Sequence, residues 1–177
     1  MKYGFLCCGP SGVGKSSNIH KMLENANLNK DDFFLIDPDK LDGTHTEQST
    51  KALELVYDSI NNNKSFVYIA TCGGTKIIID ILSKLKKKKF RSIVSITYTS
   101  LPIALKRISE RSEQVVPEEV VEDLHKFFKT KAERFMSLPN IDQIYLYNNN
   151  TNFNLLLSKK SKKIVCSNEN DEFYFDI

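Results

Sequence analysis

The sequence predicts an α/β fold in which helices cover both faces of a mostly parallel, five-stranded sheet. Apolar runs of strand length alternate with amphipathic stretches of helix length, which is typical of parallel strands joined by crossover helices. The chain has 177 residues, of which 41% are hydrophobic, and this suits one domain with a sizeable core. A glycine-rich turn between the first apolar run and the first helical stretch is a third indication of this fold class.

Five apolar runs are predicted to form the parallel strands. Phe66–Ala70 is apolar throughout, as expected for a parallel strand that is buried on both faces. Pro38 ends the second run, because the residue before a proline avoids helical torsions. The predicted strands are Tyr3–Cys8, Phe33–Ile36, Phe66–Ala70, Ser92–Tyr98 and Ile144–Tyr147.

The stretches between these strands repeat apolar residues at helical spacing. Pro102 suits the first turn of its helix, and Glu118 and Glu119 are favourable near a helix N-terminus. The predicted helices are Ser16–Asn25, Glu47–Asn61, Lys76–Lys87, Pro102–Glu110 and Glu118–Met136.

The C-terminal region carries weaker strand signals. The asparagines at 148–150 predict a turn, so we divide the chain into a main domain, 1–150, and a strand-rich extension of the same domain, 151–177. The extension is predicted to form a small antiparallel appendage. Its candidate strands are Phe153–Leu157, Lys162–Cys166 and Phe173–Phe175.

Residues 9–16 read Gly-Pro-Ser-Gly-Val-Gly-Lys-Ser, a complete phosphate-loop motif. Its position between a strand and a helix directs backbone N–H groups and a helix dipole at an anion. Lys15 is expected on the β- and γ-phosphates and the Ser16 hydroxyl on Mg²⁺. The motif predicts a P-loop NTPase or kinase-like three-layer fold that binds ATP or GTP. The predicted nucleotide-binding residues are Gly9, Pro10, Ser11, Gly12, Val13, Gly14, Lys15, Ser16 and Ser17.

Two aspartates follow the second predicted strand. The carboxyl ends of parallel strands face the binding crevice, so Asp37 and Asp39 are expected beside the phosphate loop. We assign Asp37 to Mg²⁺ and Asp39 to the proton of an acceptor hydroxyl. The alternative is that these aspartates only cap a turn beside Pro38.

Arg107 and Arg111 are four residues apart, on one face of the helix after the fourth strand or of its continuation. Guanidinium groups placed over the phosphates would neutralise charge during phosphoryl transfer, so both are candidate catalytic residues along with Lys15 and Asp39. The alternative is a solvated helix face that pairs with neighbouring glutamates.

The most basic stretch lies at 84–91, at the end of a predicted helix. Cations complement the dipole there and can simply face water. Phe90 is the only aromatic residue among them, so a nucleic-acid partner is the less favoured interpretation.

The four cysteines, Cys7, Cys8, Cys72 and Cys166, lack the paired spacing of a metal site. We expect free, buried thiols in a reducing cytoplasm. The residues before the first strand leave no room for a signal peptide, and no apolar run is long enough to span a bilayer. These features favour a cytoplasmic protein without a membrane partner.

In its phosphate loop and in two later sequence blocks, the chain resembles the zeta-toxin family of P-loop kinases. Three blocks recur in order, namely the loop at 9–16, Ile-Asp-Pro-Asp at 36–39 and Val-Pro-Glu-Glu-Val-Val at 116–121. A long helix then leads to a last strand that ends at Asn148. The resemblance covers about residues 3–150. It implies transfer of the γ-phosphate of ATP or GTP to a small-molecule hydroxyl, as on the UDP-linked amino sugar of characterised zeta toxins. It also implies that Lys15, Ser16, Asp39 and either Arg107 or Arg111 hold the family's functional positions.

Three departures from the family stand out. The family carries a glutamate at the end of the third strand, where this chain has Ala70 and the segment to Gly74. Glu113-Gln114-Val115 replaces an arginine or a Gly-Gly-His element before the third block. Toxin members also carry a substantial segment before the phosphate loop, whereas eight residues precede it here, and this argues against an antitoxin partner.

A small-molecule kinase is therefore the leading hypothesis. One alternative is a nucleoside or polynucleotide 5′-hydroxyl kinase in which the lysine run at 84–89 guides an anionic polynucleotide strand. Another is a nucleotide-binding module whose catalytic groups have decayed, which the changes at 70–74 and 113–115 suggest. A GTPase switch is less favoured, because no Asn-Lys-x-Asp element follows strand four or five.

Overall fold

Seven strands form one sheet in the computed structural model, which describes residues 1–110, 116–126, 128–160 and 163–166. They are β1 (Tyr3–Cys8), β2 (Phe34–Ile36), β3 (Phe66–Ala70), β4 (Arg91–Tyr98), β5 (Gln143–Asn148), β6 (Asn154–Lys160) and β7 (Lys163–Cys166). The strand order is β2-β3-β1-β4-β5-β6-β7. β1 to β5 are parallel, which confirms the predicted five-stranded core of an α/β fold. The antiparallel strands β6 and β7 continue the same sheet beyond β5.

Helices cover both faces of the sheet. They are α1 (Ile19–Asn25), α2 (His45–Asn61), α3 (Thr75–Lys87), α4 (Leu101–Ser109), α5 (Glu118–Lys126) and α6 (Phe128–Ser137). The predicted helix over 118–136 corresponds to α5 and α6, and residue 127 between them lies outside the described residues. The candidate strand at 173–175 also lies outside them. None of the helices within the described ranges is long and apolar enough to cross a lipid bilayer.

Alternation along β1 divides the core into two layers. Leu6 and Cys8 belong to the layer beneath α2, α3 and α6, whereas Phe5 and Cys7 pack with α1 on the other face. Successive strand side chains point to opposite faces, so a strand that is buried on both faces serves both layers. β1 therefore lies at the centre of the fold and carries the phosphate loop at its carboxyl end.

Local chemistry explains where α2 begins. α2 starts at His45, two residues before the predicted start, because Thr44 and Glu47 form a capping box. The Thr44 N–H donates to Glu47 Oε2 at 2.7 Å, and the Glu47 N–H donates to Thr44 Oγ1 at 3.4 Å. The first predicted helix instead begins with a short 3₁₀ turn, Ser16–Asn18, before α1.

The expectation that all the cysteines are free thiols is wrong. Cys8 and Cys72 form a disulfide, with their Cα atoms 5.3 Å apart. The two residues are 64 positions apart in the chain, and the parallel pairing of β1 with β3 brings them together. Cys7 is free and fully buried, and burial raises the pKa of its thiol to about 12. The side chain of Cys166 lies outside the described residues.

Candidate active site

The phosphate loop joins the carboxyl end of β1 to the 3₁₀ turn before α1. Gly12 and Gly14 have φ values of 80° and 84°, a left-handed conformation that favours glycine. A Cβ on Gly12 would lie 2.6 Å from the Ala104 carbonyl oxygen, so α4 packs directly against the loop. Glycine is therefore required at position 12 for both torsion and space.

Lys15 bends back over this loop. Its ammonium donates hydrogen bonds to the Gly9 and Pro10 carbonyl oxygens, both at 2.8 Å. Both acceptors belong to the loop itself, so the positive charge lies against the main chain that would surround a phosphate group. This places Lys15 in the region expected from the motif.

Ser16 and Asp37 are brought together from β1 and β2. The Ser16 hydroxyl donates to Asp37 Oδ2 at 3.1 Å, and Asp37 is only 5% exposed. A hydroxyl beside a carboxylate is an all-oxygen donor pair of the kind that Mg²⁺ prefers. The donor chemistry of these two residues therefore fits the magnesium role predicted for them.

Asp37 also caps a turn, as the alternative interpretation proposed. Its Oδ1 accepts a hydrogen bond from the Asp39 N–H at 3.2 Å, at the start of the 3₁₀ turn Pro38–Lys40. The two roles are compatible, because each uses a different carboxylate oxygen. Asp39 itself is exposed on the same turn, at the carboxyl end of β2.

Arg107 projects from α4 toward the end of β5. One guanidinium nitrogen, Nη2, donates to the Asn149 carbonyl oxygen at 2.8 Å. Nη1 is buried without a hydrogen-bond partner among the described residues. This cation is therefore held close to the phosphate loop with the N–H groups of Nη1 unused. Arg111, the second predicted arginine, lies outside the described residues.

Asn149 is a site residue that we did not assign from the sequence. It is 8% exposed, and its Nδ2 donates to the Val13 carbonyl oxygen of the phosphate loop at 2.8 Å. Its own N–H donates to the Tyr98 carbonyl oxygen at 2.8 Å. Asn149 therefore ties the loop to the ends of β4 and β5. The run of asparagines at 148–150 was the signal for this residue, and we interpreted it only as a turn.

Replacing Asn149 with alanine is expected to destabilise the protein by about 1–3 kcal/mol, because the buried Val13 carbonyl loses its donor. Chemical denaturation measures this change in the free energy of unfolding. Asn62→Ala is the matched control, since Asn62 makes a comparable 2.9 Å bond to the Asp58 carbonyl on the exposed end of α2. An equal decrease in the free energy of unfolding of the two variants would contradict the role assigned to Asn149.

His125 is the second residue that we did not assign. It lies on α5, with its ring centroid 6.3 Å from that of Tyr98, and Nε2 is buried without a hydrogen-bond partner among the described residues. Burial lowers its pKa, as does the charge of Lys15, whereas a hydrogen bond with the Ser11 backbone raises it. Burial, the largest of these effects, therefore favours the neutral form of the imidazole, which lies between α5 and the phosphate loop. This contact joins residues more than a hundred positions apart, so no local motif indicated it.

The lysine run lies at the opposite edge of the sheet. The N-terminus of α3 follows the carboxyl end of β3, and the lysines occupy its last turn and the residues after it. A helix of 13 residues is about 20 Å long, and this length separates the lysines from the phosphate loop. Lys84 also pairs with Asp80 at 2.8 Å, and Lys86 donates to Asn140 Oδ1 at 2.7 Å. The run therefore behaves as a solvated helix end.

Solved structures share this fold. A chain of the AvrRxo1-ORF1:AvrRxo1-ORF2 complex matches with a TM-score of 0.73 and 13% identity, over 96% of this chain and 62% of that chain. A chain of the PezAT toxin-antitoxin system of Streptococcus pneumoniae matches with a TM-score of 0.67 and 14% identity, over 92% and 74%. The fold is that of the zeta-toxin-like P-loop kinases. A gluconokinase from Sinorhizobium meliloti 1021 also matches, with a TM-score of 0.54 and 11% identity over 82% of each chain.

The resemblance to zeta toxins that the motifs implied is thus confirmed at the level of the fold. No protein-family model and no curated protein matches the sequence. The chain spans 62% of the AvrRxo1 chain that it matches. Another structure of the AvrRxo1 complex, solved with ATP, matches with a TM-score of 0.69 and 13% identity over 94% of this chain and 60% of that chain.

The argument against an antitoxin partner is wrong. It relied on the short segment before the phosphate loop, yet the similar structures include a toxin-antitoxin system and a two-protein complex. The similar structures therefore overturn that expectation.

Proposed function

We propose that this protein is a kinase that transfers the γ-phosphoryl group of ATP or GTP to a hydroxyl group of a small molecule. The observation that carries the proposal is the Ser16–Asp37 contact directly beside the phosphate loop. It adds a magnesium-type donor pair to an anion-binding loop, and phosphoryl transfer needs both. The kinase-like fold supports the same reaction class.

Each residue has a role in this proposal. Lys15 binds the β- and γ-phosphates, and Ser16 and Asp37 hold Mg²⁺, which neutralises phosphate charge when bound. Asp39, exposed next to Asp37, accepts the proton of the acceptor hydroxyl. Arg107 offers its unused Nη1 to the nucleotide, and His125 supports the phosphate loop through its hydrogen bond with the Ser11 backbone. Most of the rate acceleration then comes from positioning and charge neutralisation.

The acceptor class is part of the proposal. A nucleotide-linked sugar is the acceptor implied by the resemblance to zeta toxins. A polynucleotide is disfavoured, because the lysine run lies about one helix length from the phosphate loop. By the same resemblance, we propose that the protein assembles with an antitoxin-like partner.

Incubation with γ-labelled ATP and a small-metabolite extract tests the proposal. The expected result is a labelled phosphomonoester, whose identification by mass spectrometry names the acceptor. Label found only in inorganic phosphate would instead indicate an ATPase.

A nucleotide-binding module without transfer activity is the second candidate. Ala70, half-buried at the end of β3, supports it because the family carries a glutamate there. Saturable binding of Mg·ATP with no labelled product from the extract would favour this alternative.

A further inference from the structure

The Cys8–Cys72 disulfide connects the two sides of the proposed site. Cys8 is the last residue of β1, directly before Gly9 of the phosphate loop. Cys72 follows β3 and belongs to the segment 70–74, which replaces the family's acceptor-side element. One covalent bond therefore joins the base of the nucleotide site to the segment that would face the acceptor.

The two ends of the bond differ in how well other contacts hold them. Cys8 is paired on both edges of its strand, opposite Ala70 of β3 and Ile96 of β4. Residues 71–73, by contrast, make no backbone–backbone hydrogen bond with the described residues outside the strand pairing. The disulfide, together with the packing of the Cys72 side chain in the core, therefore fixes this segment to the sheet.

The backbone at Cys72 also depends on the bond. Cys72 has a φ of 54°, in the left-handed region that a residue with a Cβ avoids. Gly73 and Gly74 follow, are both exposed, and have the widest choice of torsions once the segment is released. Breaking the bond would let Cys72 leave this conformation, and the backbone of Gly73 and Gly74 would then change its torsions as well.

The bond lies at the surface of a small recess. The recess is lined by Cys8, Gly9, Pro10, Thr71 and Cys72, together with residues of β4, α5 and α6. Cys72 is 4% exposed, and its neighbour Thr71 is exposed. Both cysteines are almost fully buried, so a dithiol reaches the sulfur of Cys72 after segment 71–74 moves away from the sheet, because exchange requires access to the disulfide.

We propose that Cys8–Cys72 is a reversible redox modification site that holds the acceptor-side segment 71–74 in its productive position. The inference rests on the proposed kinase function. Reduction by a dithiol breaks the S–S bond and leaves two thiols in the protein. The reductant supplies two electrons and two protons and becomes a disulfide itself. Acceptor phosphorylation falls, whereas nucleotide binding persists because Asn149 and the strand pairing still hold the phosphate loop.

The test compares the protein oxidised and after treatment with dithiothreitol. Peptide mass spectrometry of the oxidised protein should find the Cys8–Cys72 link. The rate of label transfer from γ-labelled ATP into the small-metabolite extract should fall about fivefold or more on reduction and recover on reoxidation. The Kd for Mg·ATP should change less than about twofold, and amide exchange in 71–78 should become faster.

Three variants separate the bond from its surroundings. Cys72→Ser and Cys8→Ser should behave like the reduced protein and should not respond to dithiothreitol. Cys7→Ser should keep the full redox response, because Cys7 points to the opposite face of β1. Equal transfer by the oxidised and reduced protein, or no Cys8–Cys72 link after mild oxidation, would overturn the inference.

Failure of the proposed function gives a different result. If neither state labels an acceptor but both bind Mg·ATP, the kinase assignment fails. The redox site is then judged on amide exchange alone. Faster amide exchange in 71–78 after reduction supports the role of the disulfide in holding this segment, and unchanged amide exchange refutes that role.

Discussion

Lys15→Ala is expected to lower kcat/KM for phosphoryl transfer by about 10²–10³-fold. The ammonium that now lies 2.8 Å from two carbonyl oxygens of the phosphate loop would be absent when negative charge moves from the γ-phosphoryl group to the leaving oxygen. The Kd for Mg·ATP should rise as well, because in the proposed function Lys15 binds the β- and γ-phosphates before and during transfer. Titration with Mg·ATP and initial rates with γ-labelled ATP measure the two effects separately.

Lys51→Ala is the matched control for this prediction. Lys51 also donates to a backbone carbonyl, that of Asp42, at 2.8 Å, but it does so on the exposed surface of α2. Its replacement should leave kcat/KM within about twofold of the unmodified protein. If Lys15→Ala retained most of the transfer activity, the phosphate loop would not be the site of catalysis.

Asp39→Asn is expected to lower kcat by about 10²–10⁴-fold while the Kd for Mg·ATP stays within about twofold. The amide cannot accept the acceptor proton, yet it has nearly the size of the carboxylate, and the backbone N–H of residue 39 still caps the turn through Asp37. Binding and turnover should therefore separate. Single-turnover measurements with γ-labelled ATP and the identified acceptor show whether the chemical step is the one affected.

Two further aspartates make this prediction specific. Asp42→Asn, three residues further along on the exposed surface, should leave kcat unchanged. Asp37→Asn should instead raise the Mg²⁺ concentration needed for half-maximal rate, because Asp37 contacts Ser16 at 3.1 Å. An Asp39→Asn enzyme with undiminished kcat would remove Asp39 from the proposed mechanism.

The assignments that sequence patterns supported best were those with a local physical cause. The five predicted runs became the five parallel strands, because strands in the interior of a parallel sheet are buried on both faces and are therefore rich in apolar residues. The spacing at 9–16 indicated the phosphate loop, because three glycines, a lysine and a serine must follow one another closely to surround an anion. The capping box at Thr44 and Glu47 is equally local, but we did not recognise it in the sequence, and the apolar periodicity led us to begin that helix two residues late.

Contacts between distant elements were missed or misjudged. The disulfide was not expected, because the pairing of β1 with β3 that brings Cys8 to Cys72 cannot be recognised from spacing. The asparagine turn predicted a change of direction, but the bond from Asn149 to Val13 spans 136 positions. His125 reaches the phosphate loop only because α5 packs beside it.

Residue order was therefore enough to predict a phosphate loop between a buried strand and a helix, with two carboxylates at the end of the next strand. These features depend on torsions and periodicities within a few neighbouring residues. Folding in three dimensions decided which groups come into contact near that loop, namely Asp37 with Ser16, Arg107 with the Asn149 carbonyl, and Cys8 with Cys72. Those contacts depend on strand order and helix packing, which are determined by how the apolar surface of all the elements is buried rather than by any short segment.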